Sequence, residues 1–150
     1  APFPLARSCA EDYGRWMAMR WYSVVVDCND FAAQARWWAE TLDYFVVFES
    51  EDEAAIIPRW ASVEPMEDLE AFRKQPQGLV FVKVPEGKTV KNRLHIDLAP
   101  HTSEDRDAEI ARLLERGATR VDVGQGSDVS WTVLADPEGN EFCVLSARNL

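Results

Sequence analysis

Arg93, His95 and Asp97 stand two residues apart in the run from Asn92 to Leu98, with Leu94, Ile96 and Leu98 filling the alternate positions. In an extended chain successive side chains face opposite ways. The alternation therefore predicts a strand with one apolar face and one row made of a cation, an imidazole and a carboxylate. Imidazole is the side chain whose own charge changes closest to neutral pH, which suits His95 to act as a general acid or base. Asp97 orients the imidazole if the geometry allows, and Arg93 is the group to hold an anionic part of a ligand. A satisfied internal hydrogen-bond network uses the same three residues without any chemistry, and the sequence leaves both readings open. Cys143 would need a lowered pKa and a neighbouring base to act as a nucleophile. Its neighbours Phe142 and Val144 point instead to an unreactive buried thiol.

The strand that carries His95 opens the second of two similar units. In the first, the β-rich run from Trp21 to Asp27 leads to Asn29 and Asp30, which supply an N-cap for a helix to about Leu42. Phe31, Ala35, Trp38 and Leu42 give that helix one apolar face, and Trp37 and Trp38 read as core filling. Strands are expected from Tyr44 to Phe48, from Ala54 to Ile57 and from Leu79 to Val84. Between residues 58 and 77 a short helix is expected with Pro65 at its first position, in a segment that is either a lid or an inert surface excursion. In the second unit the Arg93 to Leu98 strand precedes a helix that starts at Ser103 and Glu104. Ile110, Leu113, Leu114 and Ala118 form its buried stripe, and Gly117 marks its end. A short strand at Val121 and Val123 follows, then strands from Trp131 to Ala135 and from Glu141 to Leu145. These last two are joined by Asp136-Pro137-Glu138-Gly139-Asn140, where Pro137 presets a turn φ and Gly139 and Asn140 tolerate positive φ. Trp131, at the edge of its strand, is as well placed for a cavity as for the core.

The chain has 150 residues, 47% apolar and 28% charged, a length and composition that suit one folded domain. Residues 1–16 show no period and read as an N-terminal extension to a domain spanning 17–150. With 26 acidic against 16 basic residues the formal charge is −10, which disfavours nucleic acid and anionic membrane surfaces. The same field favours a cationic small molecule, although a plain solubilising surface has the same composition. Cys9, Cys28 and Cys143 are odd in number and form no Cys-x-x-Cys pair, so neither a disulfide framework nor a zinc motif is indicated. No apolar run approaches a membrane span and no signal peptide is evident, so a cytoplasmic location is expected.

The runs from Val24 to Asp30 with Trp37 and Trp38, from Asn92 to Asp97 and from Asp136 to Phe142 resemble, in order and spacing, the vicinal oxygen chelate superfamily. That superfamily includes glyoxalase I, extradiol dioxygenases and bleomycin resistance proteins, and the match is closest to its glyoxalase-like domain proteins. The resemblance implies an α+β fold of two βαβββ modules, about 20–87 and 92–150. Their strands would form a curled mixed sheet, a cup with the helices outside, in a homodimer. It also implies that Arg93, His95 and Asp97 look into the cup. Metal-dependent members take one ligand from each of four cup strands, typically His or Gln, Glu, His and Glu. The matching positions are Ser23, seven residues before Asp30; a residue near Phe81; His95; and Cys143, seven residues after Asp136. One good ligand of four does not hold a divalent ion, and His95 with Cys143 still falls short of the three protein ligands of an open zinc site. No metal and no other cofactor is therefore expected. Ser23, Phe81, Arg93, His95, Trp131 and Cys143 remain as ligand-binding positions, with His95 and Asp97 as the catalytic pair. The expected function is binding of a small organic molecule at a degenerate metal site, with or without metal-independent catalysis. The alternatives are sequestration of a cationic molecule, as in bleomycin resistance, and a metal-dependent lyase or dioxygenase.

Overall fold

A computed structural model describes residues 19–149, and the extension expected at 1–16 lies outside them. The first unit begins with β1 (Ser23–Cys28), whose Val24, Val26 and Cys28 turn toward the helical side while Val25 and Asp27 stay exposed. Helix α1 (Phe31–Leu42) follows, capped by Asp30, whose carboxylate accepts from the Ala33 N–H at 2.9 Å. It ends on Asp43 in the left-handed region, at φ 54°. Strands β2 (Tyr44–Glu49) and β3 (Glu53–Pro58) pair antiparallel. Helix α2 (Leu69–Lys74) then leads to β4 (Gly78–Lys83), which lies antiparallel to β3 and parallel to β1, giving the order β1-β4-β3-β2.

The second unit repeats this plan with β5 (Ile96–Leu98), α3 (Arg106–Glu115), β6 (Thr119–Arg120), β7 (Thr132–Ala135) and β8 (Glu141–Val144). Its order is β5-β8-β7-β6, with β5 parallel to β8. Both four-stranded sheets are thus mixed, in the α+β arrangement of two βαβββ modules. They remain separate ladders: a cleft of about 690 Å³, lined by Val24, Val26, Trp38, Ile96 and Phe142, runs between β1 and β5.

One core serves both units. Trp37 and Trp38 of α1 meet the Phe142 ring of β8 edge-on, at 5.8 and 5.2 Å between centroids, and Ile110 and Leu113 of α3 complete the cluster. The polar ends of the indoles are satisfied across the same boundary. Trp37 Nε1 donates to the Arg116 carbonyl at 2.9 Å and Trp38 Nε1 to Asp136 Oδ2 at 3.0 Å. The Glu138 carboxylate accepts from the Asn29 and Asp30 N–H groups at the start of α1. The turn at 136–140 is therefore a clamp between modules as well as a hairpin connection.

Several boundaries differ from those expected. Helix α2 starts at Leu69, where Asp68 caps the Ala71 N–H at 2.7 Å, and not at Pro65. Helix α3 starts after Asp105, which accepts from Asp107 and Ala108, because Glu104 turns back to the His101 N–H. Strand β6 pairs at Thr119 and Arg120, ahead of Val121. Strand β5 is only three residues long: upstream, the Asn92 N–H is drawn to Glu141 Oε2 at 3.0 Å, and the chain from 92 to 95 bends off the sheet.

Candidate functional site

Parallel pairing sets Asp97 of β5 beside Cys143 of β8, and β7 sets Val133 on the other side of Cys143. Phe142, Val144 and Leu134 occupy the alternate positions and are buried against the helices, so residues 97, 141, 143 and 133 share the open face. That face floors a cavity of about 380 Å³ whose walls include His95, Asp97, Trp131, Val133, Glu141 and Cys143. His95 Nε2 lies 3.3 Å from Asp97 Oδ1, with both side chains about half exposed. An imidazole nitrogen, a carboxylate oxygen and the Cys143 sulfur all fall within 4.8 Å of one another.

The site's electrostatics are set by burial and by paired charges. Burial pushes the Cys143 thiol above its ordinary pKa, and the nearby Asp97 charge pushes in the same direction. That arrangement works against a resting nucleophilic thiolate. Glu141 shows the opposite balance. Burial would raise its carboxyl, but Lys88 Nζ at 2.7 Å and the Asn92 N–H at 3.0 Å more than compensate, and it sits below the usual carboxylate range. Its charge is thereby already committed to Lys88 and the chain at Asn92.

Of the residues singled out in the sequence, His95, Asp97, Trp131 and Cys143 come together on this cavity. Arg93 does not join them: it precedes the strand, is exposed, and lines neither this cavity nor the cleft between β1 and β5. Ser23 lies on the open face of the other sheet. There it lines a separate cavity of about 390 Å³ with Ala55, Ile57, Val80, Met66 and Phe72. The segment 58–77 thus lies across the first sheet's open face. Phe81 is fully buried on the helical side, so the open-face residues of β4 are Gly78, Val80 and Val82, and Phe81 is no part of a cavity wall. Glu141 and Asn92 were missed, although Glu141 could have been found: it precedes Cys143 by two residues on the same expected strand and so shares its face.

The family model described as a glyoxalase-like domain matches residues 23–145. Among solved structures, a glyoxalase/bleomycin resistance protein/dioxygenase family enzyme from Burkholderia phytofirmans PsJN superposes with TM-score 0.60 at 15% identity, covering 87% of this chain and all of that one. The fosfomycin resistance protein FosX from Listeria monocytogenes, in complex with Mn(II) and sulfate, gives 0.62 at 10% identity, covering 88% and 93%. A glyoxalase/bleomycin resistance protein from Albidiferax ferrireducens T118 gives 0.51 at 17%, covering 85% and 98%. At such identities the likeness is one of fold. No curated protein sequence matches the chain.

Proposed function

We propose, from the premise that this chain belongs to the glyoxalase-like domain family, that it binds a small organic molecule in the cavity on the open face of its second sheet. The observation that carries the reading is the convergence there, on one concave surface, of an imidazole just before β5, a carboxylate on β5 and an indole on the approach to β7. Trp131 offers a flat apolar wall, and His95 with Asp97 forms the polar end. Because Nε2 faces Asp97, Nδ1 is the imidazole nitrogen left to exchange a proton with the ligand, with Asp97 holding the ring. This pair makes metal-independent acid–base catalysis the enzymatic form of the proposal.

The metal that metal-dependent relatives use does not fit the corresponding positions. Ser23 faces a different cavity, β4 presents Gly78, Val80 and Val82 without a donor atom, and only His95 and Cys143 remain. An ion bridging the two modules therefore lacks a ligand set among these positions. A sequestering role for a cationic molecule has a second observation behind it: the Asp97 carboxylate lines the cavity, in a chain of formal charge −10, although Lys91 lines it too. The proposal also takes the chain as a homodimer, in line with the exposed apolar side chains Trp21, Tyr22, Phe48 and Trp60.

Thermal-shift screening of small organic acids and amines, followed by calorimetry at two ionic strengths, tests these readings. Binding should weaken at least tenfold in His95→Ala and Trp131→Ala proteins that retain native circular dichroism. Affinity that falls with salt selects the cationic ligand. Hits bound equally by both variants would refute the assignment of this cavity.

A further inference from the structure

We infer that His95, Asp97 and Cys143 form a three-ligand site for a borderline divalent ion, Zn²⁺ in chemical class, built entirely within the second module. This goes beyond the binding reading, which stands or falls without an ion. The family resemblance supplied two donors, His95 and Cys143, and the structure adds the third, because β5 lies parallel to β8 with Asp97 in register with Cys143. Three protein donors with one open position is the stoichiometry of an open zinc site, and a nitrogen, a carboxylate oxygen and a sulfur match the ion's mixed preference.

The geometry agrees with that assignment. Bond lengths of roughly 2.0–2.1 Å to nitrogen and oxygen put two such donors about 3.3 Å apart on a tetrahedron. The His95 Nε2 to Asp97 Oδ1 separation is 3.3 Å. The sulfur of a tetrahedral site would sit roughly 3.5 Å from its neighbours, so donors within 4.8 Å need to close by little more than a side-chain adjustment. Neutral imidazole, carboxylate and thiolate together carry two negative charges, which balance a divalent ion. Glu141, although nearby, is held by Lys88 and the Asn92 N–H and is not free to add a fourth donor. The open position then faces the cavity bounded by Trp131, Val123 and Gln125. The site differs in kind from one shared between two modules: it needs nothing from β1 or β4.

Titration of chelator-treated full chain with Co²⁺, read by electronic absorption, tests the inference. One equivalent should produce tetrahedral ligand-field bands and a thiolate-to-cobalt charge-transfer band, and one equivalent of Zn²⁺ should displace it. Cys143→Ser should abolish the charge-transfer band, and Cys28→Ser should leave it intact. His95→Ala and Asp97→Asn should each weaken binding at least tenfold. Should Cys143→Ser fail to fold, X-ray absorption of the zinc-loaded native chain decides instead, with one sulfur at about 2.3 Å expected. Absence of stoichiometric binding, a charge-transfer band that survives Cys143→Ser, an edge without sulfur, or full affinity in Asp97→Asn would each overturn it. Organic-ligand binding by metal-free protein is a separate readout, so failure of one leaves the other standing.

Discussion

Trp38→Phe is predicted to loosen the clamp that fixes the second module on the first. Asp136 is 2% exposed, and its carboxylate accepts from the Glu138 and Asn140 N–H groups as well as from Trp38 Nε1, all at 3.0 Å. Removing the indole N–H leaves a buried carboxylate short of one donor. A hydrogen bond to a charged group contributes about 1.5–3 kcal/mol, and the smaller ring adds some lost packing against Phe142. The total loss should be about 2–4 kcal/mol, or roughly 4–16 °C in Tm at about 2–4 °C per kcal/mol for a chain of this size. Urea unfolding followed by far-ultraviolet circular dichroism measures it. A double-mutant cycle with Asp136→Asn isolates the pair, and a coupling of about 1–2 kcal/mol is expected. Additive single effects, or a Trp38→Phe loss under about 0.5 kcal/mol, would refute the claim that this bond joins the modules energetically.

Gln34 is 1% exposed and, among the described residues, neither its amide nitrogen nor its oxygen has a partner, so Gln34→Met should raise stability by about 1–2 kcal/mol in the same unfolding assay. A net loss there would show that the amide is satisfied. The Cys28 thiol is pushed up to about 12, by burial first and then by the charges of Glu138, Asp136, Asp27 and Asp30. At pH 8 its peptide should stay unlabelled by a maleimide until denaturant is added, as read by mass spectrometry. Because the Glu141 carboxyl is held below its ordinary range, its contribution to stability is present above the unfolded carboxyl pKa of about 4.3 and fades as pH falls through the lower folded value. The stability gap between native and Glu141→Gln protein should therefore be widest near pH 6 and narrow below pH 4. A gap that grows in acid would mean the sign is wrong.

The fold was largely legible because its signals are local. Asp30 as a cap, the apolar face of α1 and the turn at 136–140 each follow from residue type and spacing, and each has its partner in the structure. The candidate site was legible in two steps: alternation put His95 and Asp97 on one face, and the family resemblance put Cys143 beside them. Two departures have separate causes. In β4 a phase slip of one residue exchanges faces, so the position matched near Phe81 falls in the core and not on a cavity wall. Arg93 was carried onto the sheet by an alternation that ends at Ile96, because Asn92 is bonded to Glu141 and Asn140, contacts 49 and 48 residues away in sequence. Capping choices failed similarly: Asp68 and Asp105 won over Pro65 and Ser103 through geometry that composition alone does not rank.

The open face of the second sheet is proposed as the ligand site. Chemical-shift mapping of the ¹⁵N-labelled chain against its best small-molecule hit tests it most directly. Perturbations should concentrate on His95, Asp97, Val123 to Gln125, Trp131, Val133 and Cys143. Perturbations gathered instead around Ser23, Ala55, Ile57 and Val80, on the first sheet, would contradict it.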